Sequence, residues 1–140
     1  MVKTFPLSVL SAEKQLYSGE AESLTLPTEE GEITILAHHI GLVANLQPGE
    51  AVIHANGKTE NMFVGGGVLE FNPDNECRVL ADVAERIDEI DISRAEAARK
   101  KAQAAIESAK SEPEVAEAKA ALLRAIARIR IAEKNKKYRR

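Results

Sequence analysis

The sequence predicts an α+β chain, an N-terminal β-sandwich followed by a C-terminal antiparallel αα-hairpin, and three observations carry that expectation. All eight glycines lie between Gly19 and Gly67, and four of the five prolines precede Asp74, so turn chemistry is confined to the first half. Between those turn signals lie short runs rich in β-branched and aliphatic residues. From Asp91 onward there is no glycine and one proline, Pro113, while alanine, lysine, arginine and glutamate dominate, which is helix-forming composition.

The β-rich runs are Thr4 to Leu10, Gln15 to Ser18, Glu22 to Leu26, Glu32 to Leu36, Leu42 to Leu46, Ala51 to Ala55, Thr59 to Val64, Val68 to Phe71 and Cys77 to Ala81. Strands this short at nearly even spacing suggest a sandwich or flattened barrel. Asn56-Gly57 fits a two-residue type I′ hairpin, which needs positive φ at both central residues, and Asn72-Pro73-Asp74-Asn75 marks a second reversal. Beyond Asp91 the apolar period changes to three and four. Ala95, Ala98, Ala102, Ala105, Ile106 and Ala109 make one stripe, and Val115, Ala118, Leu122, Ile126 and Ile129 make another. Ser111-Glu112-Pro113-Glu114 between them offers a capping box with proline in the first turn, so one helix stops and a second starts. Two helices of ~20 to 25 residues, each ~30 to 37 Å long, must fold back on each other if they pack together. The expected organisation is a sandwich over 1–85, a linker over 86–90 and a hairpin over 91–140. Alanine buries little area, so the first helix forms a thin seam, the setting for a switch, although a static hairpin has the same pattern.

A chain of 140 residues can bury one good core with a smaller unit beside it. The net charge of -3 argues against a nucleic-acid binder, yet it hides opposite halves. Through Glu85 there are four Lys and Arg against thirteen Asp and Glu; from Arg86 onward there are fifteen against nine. Cys77 is the only cysteine, so no intramolecular disulfide forms, and it is expected in the core. No apolar run approaches the ~20 residues that span a bilayer, and the start lacks a signal peptide's apolar stretch, so a soluble, cytoplasmic protein without direct membrane insertion is expected. Gly65-Gly66-Gly67 leads into Val68-Leu69-Glu70 with no following Lys-Ser/Thr, which is a bulge or crowded turn rather than a phosphate cradle. His38, His39 and His54 lack metal-ligand spacing, and no catalytic set can be argued from spacing. Over the last seventeen residues Arg124, Arg128, Arg130, Lys134, Lys136, Lys137, Arg139 and Arg140 face one acid, Glu133. Arg124 and Arg128 lie roughly opposite the Leu122/Ile126/Ile129 stripe and are expected to point outward, toward solvent or an acidic partner.

The order of motifs along the chain resembles the epsilon subunits of rotary F-type ATP synthases. Gly31-Glu32-Ile33, His39, Leu42 and Gln47-Pro48-Gly49 are similar to one family segment, and Gly65-Gly66-Gly67-Val68-Leu69-Glu70 to its glycine hairpin. Val79-Leu80-Ala81-Asp82-Val83-Ala84-Glu85-Arg86 is similar to the family's last strand and linker, and Ala125 to Glu133 to its second helix. The resemblance implies a ten-stranded sandwich set against the gamma subunit and the c subunits of the rotor ring, on the inner face of the cell membrane, with no catalytic residue and no required cofactor. It implies a hairpin that reaches toward the alpha and beta subunits and restrains ATP hydrolysis, with Arg124, Arg128 and Arg130 facing an acidic loop. It places the turn carrying His38 and His39 toward the ring, although Ala37 and Gly41 depart from the family's common residues there. Some members bind ATP on the hairpin, and Ile90-Asp91-Ile92-Ser93-Arg94-Ala95 resembles their motif, with Glu85 upstream and Arg124 and Arg128 on the second helix at matching positions. Lys101 stands where tighter binders carry another arginine, and Asp91 reads equally as a helix cap. A stand-alone nucleotide-sensing module, its hairpin binding ATP, is the alternative function.

Overall fold

The computed structural model describes residues 2–138, and the chain divides into two compact units whose boundary falls between Arg86 and Ile87. Where composition suggests a linker over 86–90, Arg86 still belongs to the last strand, and Ile87–Glu89 forms a single 3-10 turn.

The first unit holds β1 (Phe5–Ser11), β2 (Gln15–Ala21), β3 (Ser23–Thr28), β4 (Gly31–Leu36), β5 (Leu42–Ala55), β6 (Lys58–Asn72), β7 (Glu76–Ala81) and β8 (Ala84–Arg86). The strand order is β2-β1-β7-β6-β5-β3-β4, with β8 paired to β6. Four of the nine sequence runs merge into two strands here: Leu42–Leu46 and Ala51–Ala55 are one strand, and so are Thr59–Val64 and Val68–Phe71. Gln47-Pro48-Gly49 and Gly65-Gly66-Gly67 do not end strands; they lie inside β5 and β6. The ten strands implied by the resemblance are eight continuous ones, two of which serve both layers. The first half of β5 and the second half of β6 continue into β7, β1 and β2. Their other halves carry β3, β4 and β8.

The side-chain pattern shows how this crossing works. In β6 the core residues are Met62 and Val64 before the glycines but Leu69 and Phe71 after them, so the alternation slips by one position. In β5 it slips likewise, from Leu46 to Ala51 and Ile53. The pairing keeps its register across the slip, passing from Leu46↔Gly67 to Pro48↔Gly65. Both strands therefore turn together and keep their apolar sides inward, the effect a bulge has on a strand. Gly66 and Gly67 adopt φ of 100° and 132° there, conformations open mainly to glycine. A Cβ on Gly67 would come within 2.2 Å of the Leu80 carbonyl oxygen.

Both layers contribute to one core of Phe5, Leu7, Leu24, Leu26, Ile35, Ile53, Met62, Leu69 and Val79 among others. Phe5 and Phe71 meet edge to face at 5.7 Å. Cys77 belongs to this core, and burial pushes its thiol up to about 12. Asn56 and Gly57 take φ of 52° and 74°, the type I′ geometry expected of that pair.

In the second unit α1 (Ile92–Ser108) and α2 (Glu112–Tyr138) pack against each other. Asp91 caps α1 by accepting from the Arg94 N–H at 3.1 Å. Ser111 caps α2 by accepting from the Glu114 N–H at 3.3 Å, while the Glu114 carboxylate accepts from the Lys110 N–H, one residue earlier than a capping box requires. Ala95 and Ala102 are buried on α1, and Ala118, Ala125 and Ala132, together with Ala127 and Ile131 on another face, on α2. Steps of seven on both helices make an alanine ladder. The expected second stripe is thereby recentred: Leu122, Ile126 and Ile129 are half-buried flanks, and on α1 Ala105 is exposed. No described helix is long and apolar enough to cross a membrane.

Gly67→Ala should destabilise the sandwich by about 2–4 kcal/mol in denaturant unfolding, since both φ and the Leu80 carbonyl oppose a side chain. Gly31→Ala shares positive φ but meets no atom within 4 Å, so it should cost clearly less. A fragment ending at Ile90 should unfold cooperatively in the same assay, because its core lies within the first unit.

Candidate functional site

The residues singled out in the sequence fall into three places: the start of α1, the later turns of α2, and the turn between β4 and β5.

At the start of α1 three of the motif residues have structural tasks. The Ile90 N–H closes the 3-10 turn on the Ile87 carbonyl at 3.2 Å, Asp91 caps the helix, and Ala95 enters the seam. Arg94 faces water. Its side chain is 90% exposed, with Nε 4.0 Å from an Asp91 carboxylate that is itself 56% exposed. A pair this open is screened by solvent and adds little to stability. Glu85 belongs to the first unit, in β8, where it pairs with Phe63.

On α2 the expectation of outward arginines is corrected. Arg124 and Arg128 are half-buried. They stand one turn apart on a face that also carries Ala127 and Ile131, both buried, so α2 has two apolar faces where the sequence reading found one. Arg130, Lys134 and Lys136 are exposed, whereas Arg139, Arg140 and the Lys137 side chain lie outside what the structure describes. Two grooves open between α1 and α2. One of about 420 Å³ is lined by Glu96, Arg99, Ile126, Ile129, Arg130, Glu133 and Lys134; the Arg99 guanidinium there donates to Glu96 at 2.8 and 3.1 Å. The other, about 490 Å³, has an alanine floor with Lys101 on one wall and Glu114 and Glu117 on the other. Both volumes suit a small ligand. Neither groove is lined by Asp91, Arg94, Arg124 or Arg128.

The turn between β4 and β5 separates its two histidines. His38 is exposed at a φ of 64°, and its backbone N–H donates to the Asn75 side-chain oxygen at 2.6 Å. His39 is half-buried, with its ring edge-on to Phe71 at 5.9 Å and Nδ1 2.8 Å from the Ile40 carbonyl, an acceptor that calls for a proton on that nitrogen. The Asn75 amide also donates to the Thr4 carbonyl at 3.0 Å, so one side chain ties this turn to the N-terminal segment. Leu36 and Ile40 stay exposed beside it, Ile40 at 79%. Asn75 was not singled out by sequence; the signal available was its place after Asp74 in a reversal, where asparagine tolerates its positive φ of 65°.

The chain matches two parts of one family, in order: the β-sandwich domain of the ATP synthase delta/epsilon chain over residues 4–87, and its long α-helix domain over residues 88–133. It is 46% identical over 131 residues to the ATP synthase epsilon chain of Laribacter hongkongensis, covering 92% of this chain and 93% of that one. It is 37% identical over 142 residues to the epsilon chain of Thioalkalivibrio sulfidiphilus, covering 100% of both. Among solved structures, the fold is similar to a chain of the Euglena gracilis mitochondrial ATP synthase, with a TM-score of 0.76 at 24% identity, over 89% of this chain and 78% of that one. A sandwich and a helical pair matched in sequence and in order place the chain in the ATP synthase delta/epsilon family.

Proposed function

We propose that this chain is a non-catalytic central-stalk subunit of a rotary ATP synthase. Its sandwich couples the gamma subunit to the c subunits of the rotor ring, and its hairpin restrains ATP hydrolysis by the alpha and beta subunits. The observation that carries this reading is the match of both domains, in order, to epsilon chains over nearly the whole sequence. The subunit sits peripherally on the inner face of the membrane as part of that complex. Affinity purification of the tagged chain from native membranes should bring alpha, beta and gamma subunits with it. Recovery of the chain by itself would favour the alternative of a free nucleotide sensor.

For inhibition, the supporting feature is the hairpin's seam of alanines, which a partner surface can replace at modest cost. The exposed Arg130 and Lys134 then supply attraction to an acidic surface, with Arg124 and Arg128 joining where the hairpin opens. Such attraction is screened over ~8 Å at physiological ionic strength, so inhibition should weaken as salt rises. Reversing Arg130 and Lys134 to glutamate should relieve inhibition of ATP hydrolysis several-fold in the reconstituted complex, and truncation after Ile90 should relieve it at least as much. Unchanged inhibition at equal occupancy would remove the basic face from the mechanism.

A second reading, ATP as a regulatory ligand of the hairpin, is favoured by the open Asp91–Arg94 pair, whose guanidinium can turn toward a phosphate at little cost. ATP that binds the folded hairpin stabilises it by about 2.7 kcal/mol at a hundredfold excess over Kd. The midpoint of thermal melting should therefore rise with millimolar ATP, and Arg94→Ala should abolish the rise. An ATP-independent midpoint would end this reading.

A further inference from the structure

We propose that Arg86 is a positioning residue that locks the last sandwich strand to both layers and so confines hairpin movement to residues 87–91. The inference rests on the mobile hairpin of the proposed function and adds where its root is fixed.

Strand β8 has three residues and one neighbour, through the pairs Met62↔Arg86, Phe63↔Glu85 and Val64↔Ala84. An edge strand that short should fray. Arg86 supplies what the ladder lacks. One guanidinium nitrogen pairs with the Glu60 carboxylate on β6, and the other donates to the Leu16 carbonyl on β2 at 2.9 Å. These partners lie in different layers, since β2 belongs with β1 and β7 while the Glu60 half of β6 belongs with β3 and β5. Leu16 is the residue that the β1–β2 register skips between Val9↔Tyr17 and Leu10↔Gln15, and a side-chain donor reaches its carbonyl there. Holding two acceptors at once uses the forked geometry of arginine, which lysine lacks. The same corner holds Tyr17, whose phenol is raised by burial and then by the nearby Glu60 and Glu20 carboxylates; Arg86 offsets one of those charges.

Directly after Arg86 the character changes. The turn Ile87–Glu89 buries no side chain, and it ends on a 3.2 Å bond from the Ile90 N–H to the Ile87 carbonyl. A clasped strand followed by a turn with no buried anchor places the flexible joint after residue 86. If β8 peeled away instead, its three residues would lengthen the tether by ~10 Å, and the root of the hairpin would lose its position.

Hydrogen exchange of the full chain by mass spectrometry tests this. In the natural sequence, the Glu85 and Phe63 amides should be protected and those of 88 and 89 should exchange rapidly. Arg86→Ala should speed exchange at Glu85 and at Phe63 and Gly65, the β6 amides that face β8 and the residue before it, by about tenfold or more, the effect of losing a charge-assisted hydrogen bond, while β1 and β7 amides stay unchanged. Arg86→Lys, reaching one acceptor, should fall between. If Arg86→Ala does not fold, Glu60→Gln should give a smaller rise at the same amides. Unchanged protection of β8, or equal loosening of β1 and β7, overturns the proposal. The exchange result holds whatever the hairpin does in the complex. Full inhibition of ATP hydrolysis by an Arg86→Ala chain with a loosened β8 would refute the positioning role and leave the proposed function standing.

Discussion

The close approach of the Gly67 backbone to Leu80 is the constraint on which the first unit depends. At that point β5 and β6 leave one layer and enter the other, and they do so in register. Without a shared bend the two long strands would either splay apart or carry their apolar sides to the surface, since a slip of one residue inverts every side chain beyond it. Glycine solves both problems, by reaching positive φ and by leaving room for a neighbouring strand's carbonyl. The facing bend in β5 uses Pro48, which needs no ladder donor, and Gly49, where a Cβ would sit 2.7 Å from Pro27. The core from Phe5 to Val79 closes because these few residues permit the crossing.

The hairpin is built on a different principle. Its seam is a ladder of alanines, whose small side chains let the helix axes approach but remove little surface from water. Each helix is stabilised in its own first turn, where Asp91 and Ser111 satisfy orphan amides of α1 and α2. A large, mainly aliphatic core and an alanine seam in one chain give two halves held by very different amounts of buried surface. That contrast agrees with the proposed function, in which the sandwich couples subunits and the hairpin responds.

Element types were legible from the sequence because their signals are local. Asn56-Gly57, Asp91 and Ser111 each act within a few residues, and each appears where expected. Continuity across the glycines was not legible, because a run of three glycines reads as an end unless the slip between Val64 and Leu69 is noticed. The α2 faces failed for another reason. Alanine counts equally toward any stripe, so Leu122, Ile126 and Ile129 drew the seam away from Ala125 and Ala132 and left Arg124 and Arg128 on a face taken for a solvated one. Of the candidate site, the identity of the residues was readable but their engagement was not. That Asp91 serves as a cap, that His39 turns toward Phe71 and that Arg86 spans two layers are matters of long-range geometry, which spacing along one chain does not encode.

The pairing of β1 with β7 is parallel, joining Leu7 to Cys77 and Ser11 to Ala81. It imposes an order of events on synthesis. The hairpins β1–β2, β3–β4 and β5–β6 can form from neighbouring segments soon after each emerges, but β7 must then enter between β1 and β6, closing a loop of about seventy residues. Until residue 81 leaves the ribosome, the inner edges of β1 and β6 stay unpaired and open to other chains. The nascent sandwich is thus completed by one late strand, and α1 and α2 emerge only after its closure becomes possible.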